Sequence, residues 1–208
     1  MNQLPLLRRY TDLPSLLAML KTRAITLLPP SSWDDRNDRY VMDLYKSRRE
    51  LKTLLALCFS QVPETYHHWR VFAPGNSGVC IEFDHMALVK ELAATGVECS
   101  SVDYKTTNDV ATFQTQLERL PFTKRSAFSD EEEFRVVFAS STVELATKEV
   151  PFSLSSINRI SINPWLPPPL FTSVKETLLA IGGCANLNIS HSQLIDSRLW
   201  KAFIERSA

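Results

Sequence analysis

The sequence predicts a single α+β domain spanning residues 1–208, with a mixed, mostly antiparallel sheet and flanking helices. Three observations lead there. Strand-like and helix-like segments alternate irregularly, many of the strands are short, and runs such as Leu54 to Phe59 are continuously apolar, as central strands are. At 208 residues and 44% hydrophobic content the chain can bury one substantial core without dividing in two.

The elements follow in order. Leu4 to Tyr10 reads as a first strand, and Thr11 or Asp12 caps a helix with Pro14 in its first turn. Leu13, Leu16, Leu17 and Leu20 give that helix one apolar side. Ala24 to Leu28 is a second strand, stopped by Pro29-Pro30. A polar loop to Asp38 precedes a helix over Arg39 to Lys52. Leu54 to Phe59 is a strand, Pro63 to Phe72 a helix rich in aromatic rings, and Gly78 to Phe83 a strand. Asp84 caps a helix ending near Thr95. Val97 to Tyr104 reads as a strand and Asn108 to Leu120 as a helix. Phe134 to Ala139 and Ile157 to Ile162 are strands, and Pro164 to Pro169, with four prolines, reads as a rigid loop. Val174 to Ile181 is a helix ending at Gly182-Gly183, and Ala185 to Ile189 is a short strand. Ser190 to Gln193 resembles a capping box for a last helix reaching about Arg206.

Charge and cysteine usage exclude several classes. The 23 basic and 23 acidic residues balance, so the whole chain is no magnet for nucleic acid or anionic membrane. Cys58, Cys80, Cys99 and Cys184 are scattered among apolar neighbours with no Cys-x-x-Cys pair, which suits reduced thiols in a cytoplasmic protein and gives no zinc-ligand spacing. No secretion signal and no membrane-spanning run is evident, so a soluble cytoplasmic protein without a membrane partner is expected. Glycine motifs for dinucleotides or phosphates and the Gly-x-Ser-x-Gly elbow are absent.

The segment Ser129 to Phe138 carries the strongest chemical signal. On a strand, Glu131, Glu133, Arg135 and Val137 would share one face, while Glu132, Phe134, Val136 and Phe138 would share the other. Carboxylates two residues apart lie roughly 6.6 Å from each other. At that distance they repel by roughly 0.6 kcal/mol in bulk water and roughly 2.5 kcal/mol at an effective dielectric near 20, so only a sheltered cleft would perturb their titration usefully. The same spacing suits a solvated strand face on which Arg135 balances the acids. Asp34, Asp35 and Asp38 could hold Mg²⁺, alone or with Glu131 and Glu133 as a nuclease site, or could simply cap a turn and helix. His67 and His68 are adjacent and make a poor chelate, and with His85 and His191 they read as ordinary surface or interface histidines. Tyr66 and Trp69, three apart, would stack on one side of their helix, as core or as the wall of a pocket for a flat ring.

Several segments together resemble the bacterial domain-of-unknown-function family twenty-nine seventy-one. They are Arg9-Tyr10, the loop Pro30 to Asp35, Cys58-Phe59-Ser60, Trp69, Gly78 to Asp84, and Glu131 to Arg135. The resemblance runs from about Leu7 to Trp200 and implies a fold and phage-defence or toxin-like contexts, but no reaction. More distantly, the ordered set Arg9 (or Arg8), Phe59-Ser60 and Glu131-x-Glu133 is similar to one branch of the ADP-ribosyltransferases, although Gln61-Val62 follow Ser60 where that branch has Ser-Thr-Ser. That similarity implies an ADP-ribosyltransferase-like fold with NAD as substrate and no metal. It implies Glu133 and Glu131 as catalytic residues, the first stabilising the oxocarbenium-like state and the second orienting the acceptor. By the same similarity Arg9 pairs with the phosphates, Ser60 lies at the nicotinamide ribose, Tyr10, Tyr66 or Trp69 stacks on the nicotinamide, and Arg135 belongs to the same cleft. The acceptor would be a protein or a nucleic acid. Two other functions fit the residues: a non-catalytic ligand-binding or interaction module, and a metal-dependent nuclease using Asp34, Asp35 and the strand acids.

Overall fold

The computed structural model describes residues 6–112 and 114–207. Leu4 and Pro5 of the expected first strand, and Phe113 of the expected helix over Asn108 to Leu120, lie outside the described residues. Eleven strands and seven α-helices are present among the described residues. The strands are β1 (Leu7–Asp12), β2 (Ala24–Leu27), β3 (Thr53–Ser60), β4 (Gly78–Phe83), β5 (Glu98–Ser101), β6 (Asp103–Lys105), β7 (Thr123–Arg125), β8 (Glu133–Ser140), β9 (Lys148–Pro151), β10 (Ile157–Ile162) and β11 (Ile189–His191). The helices are α1 (Leu13–Thr22), α2 (Arg36–Arg48), α3 (Tyr66–Phe72), α4 (His85–Ala93), α5 (Thr107–Thr112), α6 (Pro168–Leu179) and α7 (Arg198–Ser207).

Seven strands form one sheet in the order β11-β10-β4-β1-β3-β8-β5. Every pairing in it is antiparallel except β10 with β11. The architecture is therefore the mixed, mostly antiparallel α+β sheet that the sequence predicts. Two small ribbons stand outside it, β2 with β9 and β6 with β7. The β2 ribbon is tied to the main sheet by an isolated bridge between Leu28 and Ala56.

Strand alternation sends side chains to two unlike faces. On one, Leu7, Leu55, Leu57, Phe59, Ile81, Phe83, Phe134 and Val136 meet Leu16 and Leu20 of α1, Leu88 and Leu92 of α4, and Leu178 of α6. This is the main core. The opposite face is covered in two separate places. Met42 and Tyr45 of α2 pack on Leu54, Ala56 and Val137, while Trp69 and Ala73 near α3 pack on Tyr10 and Cys80. The gap between these two patches lies over the middle of the sheet.

The middle of the sheet is also split. β1 pairs with β4 along its whole length, Leu7 opposite Phe83 through to Asp12 opposite Gly78. Toward β3, its pairing is confined to Arg8 opposite Ser60 among the described residues. Beyond that point the two strands splay, and the split opens into the gap between α2 and α3.

The helix starts follow from their caps. Asp12 accepts from Ser15 N at 2.7 Å, Asp35 from Asn37 N at 2.9 Å, Thr65 from His68 N at 3.1 Å and Asp84 from Ala87 N at 2.8 Å. The loop acids thus include a cap that starts α2 at Arg36, three residues before the expected Arg39.

The second half departs further from the sequence expectation. Val97 to Tyr104 is two strands, β5 and β6, broken at Val102, whose side chain is buried. The expected helix over Asn108 to Leu120 is divided: α5 holds its first residues, and Leu117–Phe122 forms a separate 3₁₀ helix in which Pro121 bars an α-helical continuation. α6 begins at Pro168 inside the proline run, which is the position where proline is tolerated. Ser190 and His191 belong to β11, so they do not form the expected capping box, and α7 starts only at Arg198.

Candidate functional site

The split and the gap together form a cavity of about 640 Å³. Its walls come from β1 between Arg8 and Asp12, the loop before α2, β3 between Ala56 and Ser60, the end of α3, and Lys124, Phe128, Glu131 and Glu133.

The floor is an ionic cluster. Arg135 is 0% exposed. Its Nε donates to Glu133 Oε1 at 2.6 Å and its Nη2 to Glu133 Oε2 at 3.0 Å. Nη1 donates to Asp38 Oδ1 at 3.0 Å and to the Pro121 carbonyl at 2.9 Å, and Nη2 also donates to Asp38 Oδ2. The guanidinium lies 4.8 Å from the Trp33 ring centroid. Lys124 Nζ reaches Glu131 Oε2 at 2.5 Å, Glu133 Oε2 at 3.2 Å and Asp38 Oδ2 at 3.7 Å. Arg135 thus satisfies its donors almost wholly on protein groups, as a buried charge must.

Glu131 and Glu133 are brought together differently from the strand alternation expected of them. Glu131 ends a 3₁₀ turn, Ser126–Glu131, and Glu132 takes a left-handed conformation with φ 39° before β8 begins at Glu133. The turn, not the pleat, aims both carboxylates at Lys124. The backbone N–H of Glu133 donates to the Tyr104 hydroxyl at 2.9 Å and fixes the start of the strand.

The cluster separates the two acids electrostatically. Burial pushes the Glu133 carboxyl up, but Arg135 and then Lys124 outweigh it and hold it down at about 2. Burial pushes Glu131 up, only partly offset by Lys124. Burial also opposes the charge on Lys124, yet the surrounding carboxylates win and raise its pKa. Glu133 is therefore a fixed anion.

Across the cavity stand Arg9, Tyr10 and Ser60. Arg9 Nη1 spans the split to the Cys58 carbonyl at 3.1 Å, and among the described residues no carboxylate lies within ion-pair distance of it. Burial lowers its pKa, the mark of a cation short of compensation. The Tyr10 hydroxyl is buried beside the Cys80 thiol and has no other hydrogen-bond partner among the described residues. Ser60 Oγ accepts from Val62 N at 3.3 Å and lies 3.2 Å from His68 Nε2.

Arg9, Tyr10, Ser60, Glu131 and Glu133 thus line one cavity, with Arg135 directly beneath its floor. Tyr66 and Trp69 do not join them. Trp69 is 0% exposed in the core and donates from Nε1 to Glu64 Oε1 at 2.6 Å. Tyr66 is 55% exposed and meets Trp165 edge-on at 5.5 Å. Tyr66, the first residue of α3, is drawn out to Trp165 and Arg70 while Trp69 is held in the core by Glu64, so the expected stacked pair does not form.

The aromatic and apolar surface at the cavity is instead Trp33, Val71, Phe72 and Phe128. The nuclease arrangement is not assembled either. Asp35 is committed to its cap and Asp38 to Arg135, and among the described residues no group of three or more His, Cys, Asp or Glu is placed to hold a metal ion.

Sequence reasoning missed His68 and Lys124. His68, expected at a surface, is 1% exposed and bonded to Ser60. The Thr65-x-x-His68 cap spacing is a signal that could have fixed its direction. Nothing local in Thr123-Lys124-Arg125 announces the lysine's role.

A family model described as "Protein of unknown function (DUF2971)" matches residues 68–136, in agreement with the resemblance read from the sequence. No curated protein matches the chain. Among solved structures, the chain is similar to Thermus sp. 2.9 DarT in complex with ADP-ribosylated ssDNA, at 11% identity and a TM-score of 0.49, covering 91% of this chain and 95% of that one. It is also similar to Thermus sp. 2.9 DarT in complex with NAD+, at 11% identity and a TM-score of 0.48, covering 93% of this chain and 97% of that one. The complex of the same protein with carba-NAD+ shows 10% identity and a TM-score of 0.48, covering 93% and 98%.

Proposed function

We propose that the chain is an NAD-consuming enzyme, an ADP-ribosyltransferase or NAD glycohydrolase, acting in the cavity between α2 and α3. The observation that carries the reading is the buried Glu133 carboxylate, held ionised at neutral pH by Arg135, in the same cavity as Arg9, a cation with no carboxylate at ion-pair distance among the described residues.

The chemistry needs both. Breaking the nicotinamide–ribose bond sends its electron pair out with neutral nicotinamide and leaves positive charge on the ribose. A carboxylate already ionised and fixed by Arg135 stabilises that charge with no reorganisation at the moment of reaction. Arg9 pairs with the pyrophosphate, and Ser60 hydrogen-bonds the ribose end. The acceptor, a water or a group on a protein or nucleic acid, oriented by Glu131, then bonds to the ribose carbon and releases its proton to solvent water. Phe72 and Trp33 give the flat ring an apolar surface in place of Tyr66 and Trp69.

Incubation with NAD followed by chromatography for free nicotinamide tests this. Wild type should release nicotinamide, and Glu133→Gln should slow release by about 10²- to 10³-fold. Equal rates in the two proteins would sink the assignment. One observation favours a non-catalytic ligand-binding module instead: both acids are already paired with Lys124. Such a module would bind NAD, by calorimetry, without releasing nicotinamide.

A further inference from the structure

We infer that His68 is a positioning residue that makes Ser60 a hydrogen-bond donor into the cavity, so that Ser60 reads an acceptor oxygen of the ligand and is not a nucleophile. This deepens the reading above and rests on it only for the identity of the ligand.

The argument is a proton count around one imidazole. His68 Nδ1 lies 2.5 Å from Thr65 Oγ1, and that same oxygen already accepts from His68 N at 3.1 Å. If Nδ1 carried the proton, two N–H groups would converge on Thr65 Oγ1, and the threonine's own hydrogen would lack an acceptor. If Nδ1 is bare, Thr65 donates to it and every group is satisfied. The neutral ring then carries its proton on Nε2.

One further contact agrees. Nε2 faces Ser60 Oγ at 3.2 Å. Burial disfavours the doubly protonated ring, so one proton is what must be placed. Ser60 Oγ then accepts from both Nε2–H and Val62 N–H, which fills its two lone pairs. Its hydroxyl hydrogen is left over, and Ser60 lines the cavity. The partner for that hydrogen is an acceptor oxygen, such as a ribose hydroxyl or a carbonyl.

The same count excludes a Ser–His nucleophile. A base that activates a serine needs a lone pair on the nitrogen facing it, and Nε2 spends its lone-pair direction on the proton. His68 also ties α3 to β3, so it fixes where the serine stands in the cavity.

Long-range ¹⁵N–¹H NMR of the full chain with labelled histidine tests the assignment without any ligand. The His68 signals, identified by their loss in His68→Gln, should show a neutral ring protonated on Nε2 at pH 7. In Ser60→Ala the Nε2 proton should shift while Nδ1 stays unprotonated. A ring protonated on Nδ1 overturns the inference. The second arm is calorimetry with NAD. His68→Leu should weaken binding about tenfold, as should Ser60→Ala, with no further loss in the double variant. His68→Gln, which keeps an N–H near the Nε2 position, should recover most of that loss. Additive losses in the double variant also overturn it. If wild type binds no NAD, the NAD reading fails alone, and the NMR result still decides the role of His68.

Discussion

At the scale of single residues, Arg135 is the hinge of the candidate site although it never faces the cavity. Its guanidinium is shared between two carboxylates and a carbonyl, with no exposure to water. Arg135→Leu would leave Asp38 and Glu133 buried beside Lys124 alone, and denaturant melting should show a loss of about 3–5 kcal/mol. Acid titration should expose the same tie. Glu133 binds its proton at about 2 in the folded chain and at an ordinary 4.5 when unfolded, so the unfolded chain takes up more protons between those values. Its stabilisation is complete above pH 4.5 and is lost as pH falls towards about 2. Glu131 and Asp38, raised by burial, work in the opposite direction. The measurement is therefore the stability of wild type minus that of Glu133→Gln, which should shrink across this window. The sequence displayed Glu133 and Arg135 two apart, and their pairing was legible as charge balance. Asp38 and Lys124 were not, because they arrive from α2 and β7, 97 and 11 positions away, through tertiary packing alone.

At the scale of elements, strands carrying several apolar residues were legible, and one with a single buried apolar residue was not. Gly78 to Phe83 and Ile157 to Ile162 match β4 and β10 residue for residue. β9 went unseen because Lys148-Glu149-Val150-Pro151 carries one buried apolar residue and gains its pairing from β2, more than 100 positions earlier. Helix starts were legible at Asp12 and Asp84, while at α2 three loop acids competed for the cap and the start was placed three residues late. Asp84→Ala removes the cap of α4 on the side of the sheet away from the cavity. Stability should drop by about 1 kcal/mol in denaturant melts while NAD turnover stays unchanged. Gly78 is a different constraint. A Cβ there would meet the Ala73 carbonyl at 2.4 Å and the Ala73 Cβ at 2.9 Å, which ties the end of α3 to the start of β4 and so sets one wall of the cavity.

At the scale of the whole molecule, the two faces of the sheet have divided the work. One face carries the large apolar cluster under α1, α4 and α6, and the other leaves its centre open. Register explains why Ser60 and Glu133, directly opposite on β3 and β8, share a face, while Arg9, opposite Ile81, alternates to the core side and meets the cavity at the split. The identity of the aromatic surface was not legible, because α3 turns by about 100° per residue and a short helix can present either of two aromatic sides. Ligand binding to the open face should be visible globally. NAD at a hundredfold excess over its dissociation constant should add about 2.7 kcal/mol to stability, read as a rise in melting temperature, and Arg9→Ala should abolish the rise.

The knot of charge beneath the opening also governs how anything arrives there. Asp38, Glu131 and Glu133 are set against Lys124 and Arg135, and Arg9 waits across the mouth. The walls add Arg8 and three more acids, Asp12, Asp34 and Asp35, so six negative groups meet four positive ones and the hollow carries a mild negative excess. An approaching anion is weakly repelled until it is within reach of the Arg9 guanidinium. Its capture should therefore depend on fit more than on steering, and its rate should rise, not fall, between dilute and physiological salt.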